Sequence, residues 1–86
     1  REMIAQIYLK RGALVPMHEH PSEQMTYVLQ GALKVLVGRE ETIVREGEVL
    51  LIPAGVPHQM EALEDTFELD VFSPIREDWI EAIQST

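Results

Sequence analysis

GALVPMHEHPSEQMTYVLQG, Gly12 to Gly31, carries two of the three histidines in the 86-residue chain, His18 and His20. On an extended strand successive side chains alternate, so these two imidazoles point to the same side, with Cα atoms roughly 6.6 Å apart. Rings at that separation can close on one ion. The third histidine, His58, ends a second turn-and-strand stretch, GEVLLIPAGVPH, Gly47 to His58. The pattern reads as a small β-barrel that holds one divalent metal ion.

The flanking sequence supplies the strands. Met3 to Leu9 alternates, with Met3, Ala5, Ile7 and Leu9 on one face, as a half-buried strand should. Gln24 to Leu29 is rich in aromatic and β-branched residues and stops at Gly31. Leu33, Val35 and Val37 alternate with Ala32, Lys34 and Leu36, and Gly38-Arg39 offers a hairpin into Thr42 to Arg45. Val49 to Ile52 is continuously apolar, which predicts a strand buried on both faces. In Thr66 to Phe72, Phe67, Leu69 and Val71 oppose Thr66, Glu68, Asp70 and Phe72, so Asp70 and Phe72 share a face whichever is buried. Ser73-Pro74 resembles a helix start, and Trp79, Ile80 and Ile83 give a short apolar stripe for a C-terminal helix of two turns or so. Short strands with frequent turn signals point to an all-β sandwich or barrel, a single domain over 1–86.

A net charge of −8 argues against nucleic acid, whose binding needs Lys and Arg at phosphates, and against an anionic membrane surface. Without cysteine there are no disulfides, zinc-thiolate sites or thiol nucleophiles. No apolar run approaches the ~20 residues of a membrane helix, and no basic-then-apolar leader opens the sequence, which starts at Arg1. A cytoplasmic location is the expectation. So small a domain buries only about 60–65% of its unfolded surface, and self-association as a homodimer is expected to supplement it.

Gly12, five residues, His18-Glu19-His20, three residues, Gln24, six residues, Gly31, and then Gly47, five residues, Pro53-Ala54-Gly55, two residues, His58, resemble the two motifs of the cupin superfamily in order and spacing. The resemblance spans over half the chain. It implies a double-stranded β-helix, or jelly roll, with His18, His20, Gln24 and His58 as metal ligands. Two departures stand out. The first motif usually has glutamate where this chain has Gln24, and Ala62 stands where the second often has asparagine. Three imidazoles and an amide leave a divalent charge uncompensated, so a bound ion would be a stronger Lewis acid that favours an anionic ligand. Zn, Ni, Fe and Mn suit such donors, as does Cu. Glu23 is the alternative ligand, but adjacent strand residues point oppositely.

Asp70-Val71-Phe72-Ser73-Pro74-Ile75-Arg76, taken with the HEHPSEQ segment, is similar to the KdgF-type pectin-degradation proteins, small dimeric cupins that open the ring of unsaturated uronates. The resemblance implies catalytic roles for Asp70, Phe72 and Arg76 and a small sugar-acid substrate. Asp70 would carry a proton, Arg76 would clamp a carboxylate and Phe72 would wall the pocket. Glu68 shares the parity of Asp70 and is expected at the rim. Met17, Met25, Tyr27 and Met60 are read as lining or packing residues. The blander reading makes His18 and His20 surface histidines, Phe72 core, and Asp70 with Arg76 a rim ion pair. Two further readings keep the barrel and the metal: a dioxygenase-like oxidoreductase, and a non-enzymatic module binding metal or a small acid.

Overall fold

Alternating side chains let each strand bury one face, and two sheets can then cover each other. The computed structural model describes residues 2–73, which form two antiparallel sheets. In chain order the strands are β1 (Met3–Leu9), β2 (Leu14–His18), β3 (Glu23–Gln30), β4 (Ala32–Val37), β5 (Glu40–Arg45), β6 (Val49–Ile52), β7 (His58–Ala62) and β8 (Thr66–Ser73). The first sheet runs β1-β8-β3-β6 and the second β2-β7-β4-β5. This is the expected all-β jelly roll. No helix among the described residues is long and apolar enough to cross a membrane.

The interior has two characters. Val28, Leu33, Val35, Val44, Ile52, Met60 and Ala62 form an apolar core, with Leu9, Val15, Val37 and Leu50 packed against it. Along β3, however, the inward positions pass from Gln24 and Thr26 to Val28. On β8 the buried face is Thr66, Glu68, Asp70 and Phe72, mostly polar. One part of the roll is thus packed like a core and another is lined with groups that need partners.

Three expectations are corrected or fall outside the description. β6 is not buried on both faces: Val49 and Leu51 are about half exposed and Ile52 is buried. It lies at a sheet edge with only β3 beside it, so the opposite sheet covers a single face. Glu68 is not at the rim but 1% exposed, because its parity turns it between the sheets. Arg76 and the expected C-terminal helix, with Trp79, Ile80 and Ile83, lie outside the described residues.

The β3–β4 turn fixes how the polar face of β8 meets its neighbours. Gly31 has φ of +99°, and a Cβ there would lie 2.5 Å from both the Asp65 carbonyl oxygen and Thr66 Oγ1. Thr66 Oγ1 in turn accepts from Ala32 N at 3.2 Å and donates to the Glu64 carbonyl at 2.8 Å. Only glycine fits here. Gly31→Ala is expected to cost about 3 kcal/mol, from the positive φ plus the backbone clash. Gly12→Ala, at φ +85° but with nothing within 4 Å, should cost about 1 kcal/mol. Thermal melts of the two variants would show the order.

Candidate metal centre

β2 ends at His18, which lies opposite His58 at the start of β7. The ladder between these strands shifts register between Val15 and His18, so the approach to the first histidine is bulged rather than regular. His20 sits in the connection to β3, and Gln24 is the second residue of β3 with its side chain inward. The PAG turn is tied to this connection by Gly55 N donating to the His20 carbonyl at 2.9 Å, and Gly55 takes φ +75° to make the turn. The second sheet therefore supplies His18 and His58, the first supplies Gln24, and His20 lies between them.

Each imidazole is held in the same way. Nδ1 lies against a backbone carbonyl two residues away: Pro16 at 2.9 Å for His18, Ser22 at 2.8 Å for His20, and Val56 at 2.8 Å for His58. A carbonyl can only accept, so the ring donates its N–H from Nδ1 and the neutral ring keeps its lone pair at Nε2. That is the tautomer a metal ligand needs. One ligating atom from each of the three rings lies within 4.8 Å of the others. Bonds of ~2.1 Å would put opposite ligands of an ion ~4.2 Å apart, so small ring rotations close the set.

The fourth position tests the fit. His20 Nε2 and Gln24 Oε1 lie 3.0 Å apart. With Nδ1–H already given to Ser22, both facing atoms are acceptors, and a positive charge between them, a proton or a metal ion, reconciles them. Adjacent ligands at ~2.1 Å and a right angle would be roughly 3.0 Å apart. Gln24 Nε2 donates to Thr26 Oγ1 at 2.9 Å, and that hydroxyl donates to Asp70 Oδ1 at 2.8 Å. Glu23 is exposed and points away, which removes it as a substitute for Gln24.

Asp70 and Phe72 come in beside these residues. A cavity of about 130 Å³ is lined by Ile7, Val15, His18, Gln24, Met60, Glu68, Asp70 and Phe72. The Phe72 ring stands edge-on to His20, with centroids 5.6 Å apart. Asp70 and Glu68 form a buried acidic pair. Burial, then the charge of Asp70 and a hydrogen bond to it, push the Glu68 carboxyl up to about 9. Burial also raises Asp70, against hydrogen bonds from Glu68, Thr26 and Gln24 that act to lower it. Burial thus holds both carboxyls above the ordinary carboxylate range. Glu68 Oε2 has no hydrogen-bond partner among the described residues.

Of the lining residues expected, only Met60 borders this cavity; Met17, Met25 and Tyr27 lie outward and exposed. The reading of the sequence passed over Thr26, although it lies two residues from Gln24 on the same face, the parity that would have found it. A larger groove of about 500 Å³ beside the β4–β5 hairpin and β6 is lined by Glu40, Glu41 and Thr42 with apolar neighbours, and by no histidine.

A cupin-domain family model matches residues 6–73. KdgF from a Halomonas species superposes with a TM-score of 0.86 and 34% identity, covering 91% of this chain and 73% of that one. An uncharacterized protein of Streptomyces coelicolor is 36% identical over 76 residues, 86% of this chain and 72% of its own length. Oxalate decarboxylase OxdC of Bacillus subtilis is 32% identical over 65 residues, 70% of this chain but 17% of that enzyme.

Two outcomes follow from this geometry. Purified protein is expected to carry about one divalent ion per chain, and His58→Ala to carry almost none, as elemental analysis would show. For Glu68, the ordinary value in the unfolded chain is 4.5 and the folded value is about 9. Folding thus favours the protonated acid, and its ionisation costs stability progressively as pH rises from the lower value to the higher. Glu68→Gln should gain on wild type across that window, by at most about 1.4 kcal/mol per pH unit, and match it near pH 4. Urea melts at a series of pH values measure this.

Proposed function

Because the chain belongs to the cupin family, we propose that it is a metal-dependent, non-redox enzyme that opens the ring of 4,5-unsaturated uronates to linear keto sugar acids. The observation that carries the reading is Asp70: a buried carboxylate in the same cavity as His18, Gln24 and Phe72. The likeness to KdgF supports it. A divalent ion held by His18, His20, Gln24 and His58 would supply Lewis acidity for the substrate carboxylate, undiminished by any anionic ligand.

The remaining chemistry belongs to the chain. Asp70, in its carboxylate form, accepts the proton of the anomeric hydroxyl as the bond from the anomeric carbon to the ring oxygen breaks. That oxygen keeps the bonding electrons and becomes the oxygen of an enolate at C5. Return of the proton from Asp70 to C4 gives the C5 ketone, so no atom or electron is gained or lost. Phe72 walls the site against water. Arg76, retained from the sequence reading, would clamp the carboxylate and offset the acidic surface. A homodimer remains part of the proposal.

Asp70→Asn keeps an acceptor for Thr26 but cannot carry the proton. Turnover, followed as loss of the absorbance of the unsaturated uronate, should fall at least ~100-fold while metal content stays unchanged. Undiminished turnover in this variant removes the mechanism.

A second reading is favoured by the cavity itself. At about 130 Å³ it is below the ~300 Å³ at which pockets for drug-sized ligands begin, and it suits a small diacid at least as well as a whole sugar. The similarity to oxalate decarboxylase points the same way. Carbon dioxide release from oxalate, without uronate turnover, would decide for it. Oxygen uptake with an organic substrate would instead mark the dioxygenase-like alternative.

A further inference from the structure

We infer that Thr26 is a positioning residue that turns the Gln24 amide so that its oxygen, and not its NH₂ group, faces the metal ligands. The inference rests on His18, His20, Gln24 and His58 being the metal site. Gln24 differs from the glutamate usual at this place in one respect that matters here. A carboxylate presents the same oxygen whichever way it turns, whereas an amide presents an acceptor one way and two N–H donors the other. A reversed amide would aim N–H groups at the cation.

The hydrogen bonds specify the direction. Asp70 and Thr26 are cross-strand partners on β8 and β3, and the Thr26 hydroxyl lies 2.8 Å from Asp70 Oδ1. A hydroxyl has one proton, and Thr26 gives it to the Asp70 oxygen it faces. Thr26 Oγ1 is left as an acceptor toward Gln24, so the amide group 2.9 Å away must be the NH₂. The oxygen then faces His20 Nε2 at 3.0 Å. Thr26 is fully buried, and Gln24 and Asp70 are 3% exposed, so all three groups are held inside the fold. The Thr26 hydroxyl passes this direction from Asp70 to the ligand, and the bond that Gln24 itself gives Asp70 runs the same way.

Zinc affinity of the full chain, measured by competition with a chromogenic chelator, tests this in four proteins. Thr26→Val, close in shape but without the hydroxyl, should bind zinc 10–100-fold more weakly than wild type, the usual cost of losing an outer partner of a ligand. Thr26→Ser should stay within about threefold of wild type. In a Gln24→Glu background, where orientation no longer matters, adding Thr26→Val should change affinity by less than about threefold. Circular dichroism confirms the fold, and Thr26→Ala repeats the first arm if valine disturbs the packing. Wild-type affinity in folded Thr26→Val, or an equal loss in the Gln24→Glu background, overturns the role of Thr26 and leaves the metal site standing. Failure of the wild type to bind zinc or any other divalent ion overturns the site and the inference together.

Discussion

Three hydrogen bonds from imidazole Nδ1 atoms to backbone carbonyls, each two residues away, hold the centre of this molecule in place. They are local, so each ring is oriented by its own turn of chain and needs no distant side chain. Their consequence is long-range. With the N–H committed to the backbone, Nε2 is the atom by which each ring would hold a cation between the two sheets. His18 and His58 come from the second sheet and Gln24 from the first, so an ion bound there would clamp the roll as well as equip it.

That arrangement explains why part of the interior is polar. Buried polar groups destabilise a fold unless they are paired. Here most of them are, in a run from His20 through Gln24 and Thr26 to Asp70. Glu68 is the exception, with one oxygen left over and a proton kept well above its ordinary range. The candidate metal centre carries no negative charge of its own, and the carboxyls of Asp70 and Glu68 lie buried beside it.

Much of this was legible in the chain itself. The spacing of His18, His20, Gln24 and His58 pointed to side chains that the fold does bring together, because strand periodicity and turn residues constrain which side chains meet. The alternation of Thr66 to Phe72 put Asp70 and Phe72 on one face for the same reason. The apolar run Val49 to Ile52 misled, since continuous apolarity is expected for a doubly covered strand, yet β6 lies at an edge and leaves Val49 and Leu51 half exposed. Glu68 misled in the opposite sense. An acid is ordinarily held at a surface; here burial itself, and then the charge of Asp70 beside it, keep Glu68 in its protonated form.

The sequence by itself determined the all-β class, the strand parities and the identity of the candidate ligands, because these follow from period-two geometry and from residue chemistry that act over a few neighbours. Only the tertiary structure decided which strands became edges, that Glu68 and Asp70 are buried together, and that Thr26 stands between Asp70 and Gln24. Those facts depend on pairing between β3 and β8, residues more than forty apart in the chain, and on burial, which no local pattern fixes.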